Sequence, residues 1–258
     1  MALTLATVAH AADLRALCPD RPLKGTSPCT LDQGHWQVES DLANYTRDTN
    51  GGATTETLFF TSPTLKYGVT DSLDLEAAIT PWQRVRARDD ATGAVTTAEG
   101  IGDLNLKAKL HLWGENGGDG AAIVPYVKLP TARRSLGNGA VEAGAVFALQ
   151  QGLPLGFSLG VTPEADALKD EAGSGRHLAT SISLAVTHPL GDQWTLGVEL
   201  WAARNFDPGG TTRQASLDFA ASWLPAKTAN WQIDGGVNLG LTHQTPDVQV
   251  YAGVSRRF

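Results

Sequence analysis

Charged side chains recur in this sequence at every second position, a spacing that sets them on one face of an extended strand. Glu39 and Asp41, Asp74 and Glu76, and Lys107, Lys109 and His111 stand in such rows, while Glu142, Glu199, Asp218 and Asp234 hold matching places in further runs. Aliphatic residues fill the alternate positions: Leu104, Leu106, Ala108, Leu110 and Leu112 interleave with Asn105, Lys107, Lys109 and His111. A period of two excludes an amphipathic helix, whose faces repeat every 3.6 residues. Ionisable rows that face one way have two chemical uses. They can pair across neighbouring strands, or they can set the charge preference of an aqueous path. Two cations on one stripe amid acids make Lys107 and Lys109 the candidate selectivity residues, with cross-strand pairing as the structural alternative.

Covalent catalysis finds no constellation. It needs a nucleophile beside a base and an orienting partner, yet His188 precedes Pro189, His177 and His243 lie near expected loops, and His111 points inward. No run presents His and Ser together on its apolar face, so the reading has no catalytic residue and no enzyme activity. Gly100-Ile101-Gly102-Asp103 opens a strand, which excludes a nucleotide fingerprint at a strand-to-helix junction. The only two cysteines, Cys18 and Cys29, lie among Pro19, Pro22 and Pro28 with no His beside them, too few ligands for a metal. No cofactor or metal is expected. A net charge of -7 also removes the basic footprint that nucleic-acid partners require.

Stepping along the chain, alternation appears in residues 36–43, 57–69, 73–80, 104–112, 123–129, 141–149, 155–161, 178–186, 194–200, 217–223, 231–239 and 248–258. These are about twelve runs of the length that tilted membrane strands take. Ser62-Pro63 marks a phase slip in the second. Residues 143–161 carry no charge and are long enough for a membrane helix, but Gln150, Gln151, Gly152 and Pro154 divide them into two strands. Mean hydropathy is -0.14, which alternating strands produce because polar positions cancel apolar ones. Connections alternate between long and polar, as at 48–55, 88–100, 131–139, 165–176 and 205–212, and mostly short, as expected of outer loops and periplasmic turns.

The expected architecture is therefore all-β: an antiparallel transmembrane barrel over residues 34–258, ending in a strand that pairs with the first. Trp36, Trp113, Trp194, Trp223, Trp231 and Phe258 fall at strand ends on the periplasmic side and form the expected aromatic girdle there. Trp82 and Trp201 lie nearer the outer side. Residues 1–12 end in Ala9-His10-Ala11 and read as the remnant of a secretory signal without its basic start. Export favours a Cys18–Cys29 disulfide in residues 13–33, a segment that would plug the barrel or act as a periplasmic tether.

Gly100-Ile101-Gly102-Asp103 with Lys107 and Lys109, then Val127-Lys128-Leu129-Pro130-Thr131 and Leu136-Gly137-Asn138-Gly139, resembles the outer-membrane family named for the meta-pathway of phenol degradation. The resemblance spans most of the chain, departing at Ala132, where the family usually has Gly. It implies a bacterial outer-membrane β-barrel that takes up small, often aromatic or hydrophobic, solutes. The expected partners are outer-membrane lipid and lipopolysaccharide, such a solute, and the barrel-assembly machinery through the C-terminal strand. Arg84, Arg86, Arg88, Arg133 and Arg134 form an outer basic rim suited to phosphate or anion contact, or simply to solvation. A barrel with structural or adhesive duties and a soluble periplasmic β protein are the competing classes.

Overall fold

The computed structural model describes residues 14–258; the signal reading of residues 1–12 lies outside the described residues. Fifteen strands make one antiparallel sheet: β1 (Trp36–Asn50), β2 (Ala53–Phe59), β3 (Thr64–Thr70), β4 (Leu73–Ala78), β5 (Gln83–Asp89), β6 (Val95–Gly100), β7 (Leu104–Gly114), β8 (Gly120–Leu129), β9 (Glu142–Gly152), β10 (Ser158–Lys169), β11 (Arg176–Leu190), β12 (Trp194–Asp207), β13 (Gly210–Trp223), β14 (Trp231–Gly240) and β15 (Val248–Arg257). A 3-10 turn, Pro154–Gly156, joins β9 to β10, so residues 143–161 form two strands. β15 pairs with β1 from Gln37↔Arg257 to Arg47↔Val248. With β2, β5 and β6 standing outside, the remaining twelve strands close into a ring.

The lower part of β1 pairs with β3 and its upper part with β2. From there β5 and β6 add outward, whereas β4 and β7 continue the ring. Strands thus break at one level in three places, between residues 59 and 64, inside the expected run 57–69, and between 78 and 83 and 100 and 104. Pro63 and Pro81 lack the N–H that a ladder requires, and Thr61 holds a left-handed φ of 61°. Residues 88–100, expected as an outer loop, instead form most of the β5–β6 hairpin. Arg84-Val85-Arg86-Ala87-Arg88 sets three arginines on one side and only Val85 and Ala87 on the other, too short an apolar row to show as a stripe.

Burial is inverted relative to a water-soluble domain. Among the largest fully buried side chains are Lys109, Gln37, Glu199, Asp74 and Asp218, while Leu75, Leu110, Leu184, Leu196, Leu200 and Val250 are exposed. A periplasmic sandwich would do the reverse. Such leucines fit hydrocarbon, and the acids on the opposite face are shielded inside the ring. No helix among the described residues is long and apolar enough to cross a membrane, as expected where strands do so.

Aromatic rings collect where β1 begins and β15 ends. Trp223 lies 6.5 Å from Trp194 and 5.5 Å from Trp231, Trp36 packs on Tyr67 at 4.5 Å, and Arg256 covers Phe258 at 4.9 Å. Phe258 N donates to Trp36 O at 2.8 Å, fastening the last residue to the first strand. Trp201 differs: its ring faces inward, 4.9 Å from Lys24 Nζ.

If the exposed leucine belt meets hydrocarbon, Leu200→Arg near the middle of β12 lowers the unfolding free energy in lipid vesicles by about 2 to 4 kcal/mol. Urea titration in vesicles measures it, and an unchanged midpoint would count against the assigned lipid face.

Candidate functional site

The interior of the ring is occupied by the chain's own residues 14–33, held mainly by charge and hydrogen bonds. Arg21 lies flat on β15 and reaches two carboxylates, Asp234 on β14 at 2.8 Å and Asp41 on β1 at 2.7 Å. The glycine at 253 leaves room for it, because a Cβ there would meet the guanidinium and push it aside. Lys24 Nζ stands 2.6 Å from Asp218 on β13, and the backbone N–H groups of Lys24 and Gly25 donate to Glu199 on β12 at 2.8 and 2.7 Å. Gly25 likewise allows a close approach, since a Cβ there would lie 2.8 Å from Ser183 Oγ and 3.0 Å from Glu199 Oε1 and displace them.

On the opposite wall Asp20 joins Lys66 and Lys109, each at 2.5 Å, while Lys66 also meets Glu39 at 2.5 Å and Glu76 at 4.0 Å. Leu31 N donates to both Asp74 oxygens at 3.0 Å, and His111 Nδ1 donates to Pro28 O at 2.9 Å. Tyr251 OH donates to Pro22 O at 2.7 Å. A Cys18–Cys29 disulfide closes the loop that carries Asp20 to Pro28, and Ser27 N braces Asp20 at 3.0 Å. At the end of the ring where β1 begins and β15 closes, Asp32 accepts from Arg15 at 2.7 Å and from Arg257 at 3.0 Å.

The expected lumenal acids thus divide. Glu39, Asp41, Asp74, Glu199, Asp218 and Asp234 contact residues 20–31 or the lysines bound to them. Glu76 faces Lys66 and Lys109, and Glu142 stands apart on β9, held by Lys128 at 2.7 Å and Asn138 at 2.7 Å. The two candidate lysines also separate. Lys109 is 1% exposed and committed to Asp20. Lys107 makes no ion pair among the described residues and lines a cavity of about 300 Å³ with Thr26, Glu76, Tyr126, Val146 and Glu164. Sequence reasoning passed over Asp20, Arg21, Lys24 and Lys66, whose partners lie up to 213 residues away.

The motif residues meet at one junction. Asp103 accepts from Ala132 N at 2.8 Å and pairs with Lys128 at 3.2 Å, Thr131 Oγ1 accepts from Leu104 N at 2.9 Å, and Gly102 N donates to Thr80 O at 2.8 Å. Arg133 donates to Glu99 O at 2.9 Å on the otherwise unpaired edge of β6. These residues fix the bend between β6 and β7 and seat the following loop on it. Of the other rim arginines, Arg84 pairs with Glu99 at 3.3 Å and Arg86 with Glu56 at 2.8 Å, while Arg88 and Arg134 are exposed.

Burial raises the Asp20 carboxyl, but Lys109 and Lys66 outweigh it and hold the group well below the usual carboxylate range. Because its folded pKa is depressed, its stabilisation is complete above about pH 4 and is lost only as pH falls through the folded value.

Residues 19–258 match the model of a family described as "Putative MetA-pathway of phenol degradation". No curated protein matches the sequence. Among solved structures, the COG4313 outer membrane channel from Pseudomonas putida F1 superposes with a TM-score of 0.68 at 17% identity, over 92% of this chain and 100% of that one. The β domain of the Bordetella autotransporter BrkA gives 0.55 at 12% identity, over 88% and 100%, and the NanC porin 0.53 at 8%, over 86% and 98%. The shared fold is that of a bacterial outer-membrane β-barrel.

Replacing Asp20 by Asn takes from buried Lys109 its one close anion, leaving Glu76 at 3.9 Å, while Lys66 keeps Glu39 at 2.5 Å, so the loss falls at the lower end of the roughly 3 to 5 kcal/mol of a broken buried pair. Limited proteolysis of the N-terminal segment in folded protein is expected to accelerate in D20N; equal cleavage rates would show that Asp20 does not anchor it.

Proposed function

The chain belongs to the MetA-pathway of phenol degradation family, and on that footing we propose that it is an outer-membrane channel for small aromatic or hydrophobic solutes, closed at rest by residues 14–33. The carrying observation is the way the lumen is filled. The bonds that hold the segment are ion pairs and hydrogen bonds, which water replaces at modest net cost, whereas a permanently sealed barrel is better served by apolar packing. The segment can therefore shift without exposing a hydrophobic core.

The space beside it suits a ring-bearing solute. The cavity at Lys107 includes Val124, Val146 and Ala78 next to polar Tyr126, Asn105 and Glu164. A cavity near 150 Å³ accepts benzene, so about 300 Å³ admits a substituted single ring. In this reading Lys107 meets the solute, and Lys109 acts only through Asp20. The rim arginines make contacts to lipopolysaccharide phosphates, and the C-terminal strand engages the assembly machinery. No catalytic step belongs to this function.

Liposome swelling with phenol, benzoate, neutral sugars and anionic sugars tests the proposal. Wild-type protein is expected to pass the single-ring compounds, and the Arg21→Gln, Lys24→Gln double variant to pass all small solutes faster. Lys107→Gln is expected to reduce the preference for benzoate over phenol, while Lys109→Gln alters gating and leaves that ratio unchanged. If neither wild type nor the double variant admits any solute, the barrel has a structural or adhesive role instead.

A further inference from the structure

At the outer mouth of the barrel, opposite the aromatic girdle, three chelating side chains come together that the sequence keeps apart. Asp170 follows the last residue of β10, His177 is the second residue of β11, and Asp207 ends β12. Their donor atoms lie within 4.8 Å of one another. His177 Nδ1 is 2.9 Å from Asp170 Oδ1 and 3.3 Å from Asp207 Oδ2. All three are largely withdrawn from solvent, with side-chain exposures of 13% for Asp170, 5% for His177 and 9% for Asp207. They border a cavity of about 530 Å³ that Asn205 and Glu142 also line.

A single proton on Nδ1 serves one carboxylate, not two. Asp207 is partly supported by Glu171 N at 2.8 Å and Gly209 N at 2.6 Å, but its charge still lies beside that of Asp170. Two further atoms lack partners: His177 Nε2 and Asn205 Oδ1 are both buried with no hydrogen-bond partner. A divalent ion on Nδ1 removes the competition of the two carboxylates for one proton and leaves the imidazole proton on Nε2. At bond lengths of about 2.0 to 2.2 Å, a tetrahedral ion holds its donors roughly 3.3 to 3.6 Å apart, close to the spacing around Nδ1. It would satisfy imidazole and both carboxylates at once and neutralise their charge, and the amide oxygen of Asn205 is a further donor in the same cavity.

We propose that Asp170, His177 and Asp207 form a binding site for a borderline divalent cation of the zinc type at the extracellular mouth. One imidazole with two carboxylates selects such an ion over Ca²⁺ or Mg²⁺, which prefer all-oxygen shells of higher coordination number. Binding ties the β10–β11 loop to the end of β12 across the lumenal face. The proposal stands whether or not the barrel conducts solute.

The test is isothermal titration of the detergent-purified full chain with ZnCl₂ and, separately, CaCl₂, together with Co²⁺ absorption as a report on ligand type. One equivalent of Zn²⁺ is expected to bind more tightly than Ca²⁺, and Co²⁺ to show the intense visible bands of a low-coordinate site. His177→Gln and Asp207→Asn should each weaken Zn²⁺ by at least about tenfold while keeping heat-modifiable migration. Should H177Q misfold, Asp170→Asn reads the same ligand set from the loop. Absence of stoichiometric Zn²⁺ binding overturns the proposal and leaves a proton-bridged His–Asp cluster. So does equal affinity in the folded variants, or tighter binding of Ca²⁺.

Discussion

Closure of β15 on β1 is the constraint from which the rest of this molecule follows. An open twelve-stranded sheet would present two rows of unpaired N–H and C=O groups, and hydrocarbon contains no water to satisfy them. Pairing from Gln37↔Arg257 to Arg47↔Val248, with Phe258 fastened to Trp36, removes both edges. Once the ring is closed, each strand has one side facing lipid and one facing a confined interior. That division turns simple alternation in the sequence into a chemical boundary.

The confined interior then poses an electrostatic problem. Glu39, Asp41, Asp74, Glu76, Glu199, Asp218 and Asp234 are all buried, and among the described residues the ring strands set Lys66, Lys109 and Arg257 against them as buried cations, the last of these turned to Asp32. Residues 14–33 correct the imbalance: Arg21 neutralises Asp41 and Asp234, and Lys24 neutralises Asp218. On the other wall the sign reverses, and Asp20 supplies the anion for two lysines. A segment with cations on one side and an anion on the other fits this lumen in one orientation only. Misplacement would set like charges together inside a low-dielectric space.

Much of this was legible in sequence because period-two alternation is a local property. The twelve-strand ring, the division of residues 143–161 into β9 and β10, and the disposition of acids along each strand can be read within a window of ten residues. What the sequence concealed is non-local. Arg21 and Asp234 are 213 positions apart, and nothing around Arg21 signals a partner in β14. The same holds for His177 and Asp207, which lie on the lumenal faces of two neighbouring strands and carry no recognisable spacing. Lys107 and Lys109 look equivalent in sequence, yet Asp20 reaches only the latter. The β5–β6 hairpin was hidden for a different reason: neither of its faces is apolar enough to show a stripe.

That hairpin also explains why three strands bend where they do. The pairings Tyr45↔Leu58↔Arg84↔Glu99 and Arg47↔Glu56↔Arg86↔Thr97 put charge on the outward side of β2, β5 and β6, continuous with exposed Val250 beside Tyr45. Such a face is incompatible with lipid tails at about 2 to 4 kcal/mol for each mid-bilayer Arg. The breaks must therefore mark the outer limit of the hydrocarbon on this side of the barrel. Phe60 and Trp82 stack at 6.1 Å just at that level, as interfacial aromatics do. Below it β3 has 7 residues, about 23 Å of strand at 3.3 Å per residue, whereas β10 on the far side has 12. The lipid-facing wall is accordingly shorter around β3 and β4, and the Gly100–Asp103 and Leu129–Thr131 motif sits where the short wall meets the tall one. Those motif residues mainly hold a bend, and the bend is what lets a charged hairpin stand above the membrane while the ring beneath it stays closed.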